Sequence, residues 1–99
     1  MPQGPIAVNP YANSQTAYDI TTATVIKAAP GTIISVIVQV AGSTTGTIND
    51  CATLGAVAAT NQVAVIPNDV SGTPGLPFPV SAGITVTPGT GQTIAVSYQ

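Results

Sequence analysis

Apolar and polar side chains alternate with a period of two through most of this chain, in runs broken every few residues by proline or glycine. Such runs predict strands, because successive side chains of an extended backbone point to opposite faces. The strongest run is residues 32–41. Ile34, Val36, Val38 and Val40 fall on one face, the expected core face, and Ile33, Ser35, Ile37 and Gln39 on the other. Residues 20–28, rich in Thr, Val and Ile, predict a strand ending at the turn dipeptide Pro30-Gly31. A strand over 44–51 is weakened by Gly46, and one over 62–66 ends at Pro67-Asn68-Asp69. Between them, residues 52–60 hold enough alanine to suggest a helix, but Gly55 and the flanking threonines favour a loop or irregular strand.

Residues 71–79 carry three prolines and two glycines, which predicts a long loop or an edge strand, since proline cannot donate to a ladder. At the end, residues 84–87 and 92–98 alternate on either side of Pro88-Gly89-Thr90-Gly91 and predict a hairpin, with Ile94, Val96 and Tyr98 on one face. Six or more short strands without an amphipathic helix predict an all-β fold, a small antiparallel β-sandwich or barrel.

Residues 1–19 stand apart. Three prolines, two asparagines at 9 and 13, and loosely spaced Ile6, Val8, Tyr11 and Tyr18 suit neither a regular strand nor a core element. The expected division is an extended N-terminal arm over 1–19 and a β-sandwich domain over 20–99. The competing reading of 1–19 is a terminus without fixed structure. Its aromatic, uncharged composition favours an arm anchored on a neighbour by those four side chains, prolines lowering the entropy lost on docking.

Charge changes the picture most. Lys27 is the sole cation, Asp19, Asp50 and Asp69 are the sole anions, histidine is absent, and the net charge is −2 over 99 residues. A single cation excludes the multiple phosphate contacts that nucleic acids require, and anionic membranes are excluded for the same reason. No run nears the length of a membrane span, and the start has neither a basic residue nor an apolar region, so no signal peptide is expected. The outward strand positions hold Thr, Ala, Ser and Gln with Ile33 and Ile37, where a monomer would carry charge. Such a face is either solvated through hydroxyls or covered by protein. We read it as covered, with Ile33 and Ile37 as contacts alongside Ile6, Val8, Tyr11 and Tyr18.

Catalytic chemistry is poorly supplied. No histidine is present to activate a serine or cysteine, and Asp50 beside Cys51 disfavours a thiolate. Asp50 at a strand end and Asp69 in an Asx-type turn read as structural. Transition-metal ligand sets and a calcium loop are missing, and Gly89-Thr90-Gly91 is a turn rather than a phosphate cradle. The chain is therefore expected to be no enzyme, to use no cofactor and to bind no small-molecule substrate. A carbohydrate surface would have to rest on Phe78 and the tyrosines.

The segments VIKAAPGTIISVIVQVAGSTTGTINDC, NQVAVIP and LPFPVSAGITVTPGTGQTIAVSYQ, within residues 23–99, carry a resemblance. A strand closed by Ala-Pro-Gly, a long Val/Ile strand, a middle strand and a Pro/Gly-rich segment before the last pair resemble the small β-sandwich virion structural proteins of tailed bacteriophages. Those are similar to capsid decoration, or cement, proteins. The resemblance implies a jelly-roll-like fold, self-association as a homotrimer, the major capsid protein as partner, and a place in the virion after assembly in the host cytoplasm. A tail, neck or fibre component and a host-attachment module are the alternatives.

Overall fold

The computed structural model describes residues 13–70 and 76–99. Eight strands run along the chain: β1 Gln15–Ile20, β2 Thr24–Lys27, β3 Gly31–Val40, β4 Gly46–Asn49, β5 Gln62–Ile66, β6 Phe78–Val80, β7 Ile84–Thr87 and β8 Thr93–Tyr98. They form two four-stranded sheets, ordered β1-β8-β3-β6 and β2-β7-β4-β5, with every pairing antiparallel. The fold is all-β. Ile20, Ile33, Val36, Val80, Ile94 and Val96 from the first sheet meet Ile48, Ile66, Ile84 and Val86 from the second in a single core.

β8 alternates as its sequence predicts, with Ile94 and Val96 fully buried and Tyr98 packed on the core. Its neighbours do not keep step. On β3, Ile33 pairs with Tyr98 but Ser35 pairs with Ser97, so Ile34 is an extra residue, a β-bulge. One inserted residue reverses which positions face inward. Ile33 and Val36, three apart, therefore both enter the core at 0 % and 2 % exposure. The expectation that Ile33 is an outward contact residue is corrected by this bulge. A second bulge at Gln39 leaves Val38 inward, opposite Ile94, and turns Val40 outward, 54 % exposed.

β1 bulges in the same way. Ala17 and Ile20 face the core while Tyr18 and Asp19 both point out, Asp19 with φ of 55°. This strand corrects the division of the chain at residue 19. Residues 15–19, expected in the arm, are an edge strand of the sheet, and the expected 20–28 strand is split into the end of β1 and β2. The prolines that marked the arm all lie at or before position 10, so their influence was extended too far along the chain.

The expected hairpin of the last two strands is also corrected. β7 lies in one sheet and β8 in the other, so 88–92 is a crossing between layers. Alternation identifies the inward side chains of each strand but not its hydrogen-bonding neighbour. The crossing is pinned by Gln92, 1 % exposed, whose Oε1 accepts from Gly89 N at 2.9 Å and whose Nε2 donates to Pro67 O at 2.7 Å. Thr90 N donates to Thr44 Oγ1 at 2.8 Å, and a Cβ on Gly89 would lie 1.9 Å from Thr44 O. Gly46, which seemed to weaken its strand, is where this amide passes. A Cβ there would meet Thr87 O at 2.7 Å and Gln92 Oε1 at 2.9 Å.

Gln92→Met keeps the shape of the side chain and orphans two backbone groups. It is expected to lower stability by about 2–4 kcal/mol in urea denaturation, whereas a loss below about 1 kcal/mol would deny Gln92 its bridging role.

Candidate interface on the outer sheet face

The outer surface of β1-β8-β3 follows from the bulges just described. Across one end runs a row of hydroxyls, Thr16, Ser97 and Ser35, with Thr16 Oγ1 and Ser97 Oγ 3.3 Å apart. Beside it Ile37 pairs with Ala95, and Tyr18 stands out from β1. Val40, opposite Thr93, closes the far end. Tyr18, Ile37 and Val40 are 68, 52 and 54 % exposed, while Ala95 between the outer strands is 4 % exposed.

One charge stands on this face, and it is occupied. Gln39 accepts from Asp19 N at 2.8 Å through Oε1 and donates to Asp19 Oδ1 at 3.3 Å through Nε2, reaching across β8 from β3 to β1. The positive φ of Asp19 turns its N–H to meet that amide. The result is a sheet face with large apolar side chains, a row of small hydroxyls of which Thr16 and Ser97 bond each other, and no lysine or glutamate, the residues that ordinarily keep sheets apart.

Of the six expected contact residues, Tyr18 and Ile37 lie on this face, Ile33 lies in the core, and Ile6, Val8 and Tyr11 lie outside the described residues. Val40 was missed, because strict alternation assigns it to the core side. Only the second bulge reveals it.

The groups considered for chemistry hold the fold instead. Asp50 accepts from Ser81 N (3.0 Å) and Ser81 Oγ (3.1 Å) through Oδ2, and from Ala82 N (2.8 Å) and Gly83 N (3.2 Å) through Oδ1, latching the end of β4 to the β6–β7 turn. The Ser81 backbone bond, with those from Ala82, Gly83 and the Ser81 hydroxyl, holds its carboxyl below the ordinary value near 3.8, against a smaller opposing effect of burial. Cys51 is buried, its Sγ 3.4 Å from Thr53 O, and its carbonyl accepts from Thr85 Oγ1 at 3.0 Å. Asn49 Nδ2 donates to Ala58 O and to Asn61 Oδ1, fastening the loop of 3-10 turns Leu54–Ala56 and Ala59–Asn61 over the second sheet. Tyr98 donates its hydroxyl to Gln15 Oε1 at 3.0 Å, tying the end of β8 to the start of β1, and packs partly against the core. Among the described residues there is no cavity and no cluster of three metal-ligating side chains.

No protein-family model, curated protein or solved structure matches the chain.

The Asp50 latch has a signed pH dependence. Its folded-state value is depressed, so its contribution is complete above about pH 4 and is lost as pH falls through that lowered value. Asp50→Asn should cost about 1–2 kcal/mol at pH 7 and flatten the fall in melting temperature below pH 4. An acid limb unchanged in the variant would deny the Asp50 latch this role.

Proposed function

We propose that this protein is a structural component of a bacteriophage virion, a capsid decoration protein that binds the assembled shell through the outer face of β1-β8-β3. The observation that carries the reading is that face itself: Tyr18, Ile37 and Val40 project from a surface whose one carboxylate is already bonded to Gln39. Partners that recognise charge find nothing there, whereas a protein surface that excludes water does.

The strand order supports the reading. Sheets ordered β1-β8-β3-β6 and β2-β7-β4-β5 support a reading as a jelly roll of two Greek keys, an architecture used in viral capsids and also in lectins and cupins. Architecture alone does not assign activity, and the sparse ionisable chemistry favours the capsid use. The mechanism is mechanical. Each subunit removes apolar area from water at about 25 cal/mol per Å², and many copies on a repeating lattice add weak contacts into a tight coat. Residues 1–12, with their prolines and aliphatics, supply a second point of attachment in this reading, and the resemblance implies trimers on the shell.

Two measurements test the proposal. Quantitative mass spectrometry of purified virions should give a copy number comparable with that of the shell subunit, and a count fitting a single ring would place the protein in the neck or tail. Ile37→Lys should leave the fold intact, since Ile37 is outside the core, and weaken binding to emptied capsids about tenfold to hundredfold. Unchanged binding would remove this face from the proposal.

A further inference from the structure

The segment between β4 and β5 is built unlike the rest of the molecule. From Thr53 to Thr60 every residue is exposed, Leu54 and Val57 included, and neither 3-10 turn contributes a buried side chain. The apolar burial that holds the two sheets together therefore does not hold this segment down. Its ties are hydrogen bonds, and nearly all of them pass through two asparagines. Asn61 Oδ1 accepts from Ala58 N at 3.2 Å and from Asn49 Nδ2 at 2.8 Å, and Asn61 Nδ2 donates to Ala56 O at 2.8 Å. Asn49 Nδ2 also donates to Ala58 O at 2.9 Å. The bonds from Ala56 N to Thr53 O and from Val57 N to Leu54 O stay inside the segment. Cys51 Sγ adds only the weak donation of a thiol to Thr53 O. At the neck of the loop, Asp50 N donates to Asn61 O at 2.8 Å.

This clasp is incomplete. Asn49 is 2 % exposed, and its Oδ1 has no hydrogen-bond partner. The amide cannot turn over to relieve it, because both atoms facing Nδ2 are acceptors. A buried carbonyl oxygen without a donor costs free energy that hydration recovers.

We propose that residues 52–60 are a flap that opens as one unit on an intact sandwich, turning about a neck at the Asp50–Asn61 bond and clasped by the Asn49 and Asn61 amides. Closing buries no large apolar side chain of the flap, orders its backbone and strands one acceptor. Opening hydrates that acceptor and frees the backbone, and the asparagine bonds are what oppose it. The open form exposes the Asn49 amide and, beside Thr53, the Cys51 thiol, both buried in the closed form. The second sheet thus has two outer surfaces, one presenting Leu54 and Val57 and the other the Asn49 amide. The inference concerns the opposite sheet from the shell-binding face and stands whether or not the virion reading does.

Native-state hydrogen exchange and thiol labelling of the full chain test it, with Cys51 as the chain's one cysteine. The amides of Ala56, Val57, Ala58 and Asn61 and the Cys51 thiol are expected to share one opening constant. It should exceed the global unfolding constant at least about a hundredfold and barely respond to urea, because little surface is exposed. Asn61→Leu removes the clasp at similar size and should raise this constant about tenfold. Ile94→Val weakens the core, which stays intact when the flap opens. It should speed exchange of the β8 amides about fivefold and leave the flap's constant unchanged. Separate constants for thiol and amides, the urea dependence of global unfolding, a flap that Asn61→Leu does not loosen, or one that follows Ile94→Val would each overturn the proposal. None of these outcomes bears on capsid binding, which Ile37→Lys reads separately.

Discussion

The fold depends on β8 lying between β1 and β3. Ile94 and Val96 are fully buried beneath it, its two ladders hold the first sheet together, and β1 reaches it from the far end of the described chain. Neither flank can form until the last strand is in place. Only β4 and β5, among consecutive strands, pair with each other. A topology so dominated by distant pairings closes large loops before contacts repay their entropy, and folds slowly for its size.

That central strand also dictates the bulges. β8 keeps perfect alternation, and β1 and β3 each insert residues to remain in register with it while curving around the core. Bulging has a second consequence, since Tyr18, Asp19 and Gln39 are turned outward by it, whereas the extra residues Ile26 and Val63 of the second sheet pack on the core. Tyr18, Asp19 and Gln39 belong to bulged segments of the flanking strands, so the geometry that accommodates the core also furnishes the outer face. Packing on one side and recognition on the other are two results of the same irregularity.

This explains which parts were legible in the sequence. The all-β class followed from period-two runs, and β5 and β8 were located almost to the residue. Ile37 and Tyr18 were correctly placed outside the core. Ile33 and Val40 were assigned to the wrong sides because a bulge leaves no mark in the sequence: Ile33 and Ile34 are equally apolar, and only the pairing with Tyr98 chooses between them. The separation of β7 from β8 was illegible for a different reason. The determinant is buried Gln92, which reads as an ordinary polar residue opening an alternating strand until Pro67, twenty-five residues away in the chain, is brought within hydrogen-bond reach of its amide.

The Tyr98–Gln15 bond marks one last property. The first strand begins where the final strand finishes, so whatever precedes residue 15 and whatever follows residue 98 depart from a single corner of a single sheet. An addition after residue 99 therefore leaves the molecule at the margin of the first sheet, beside the start of β1. Tethering or display through that end fixes which way round the described body is presented.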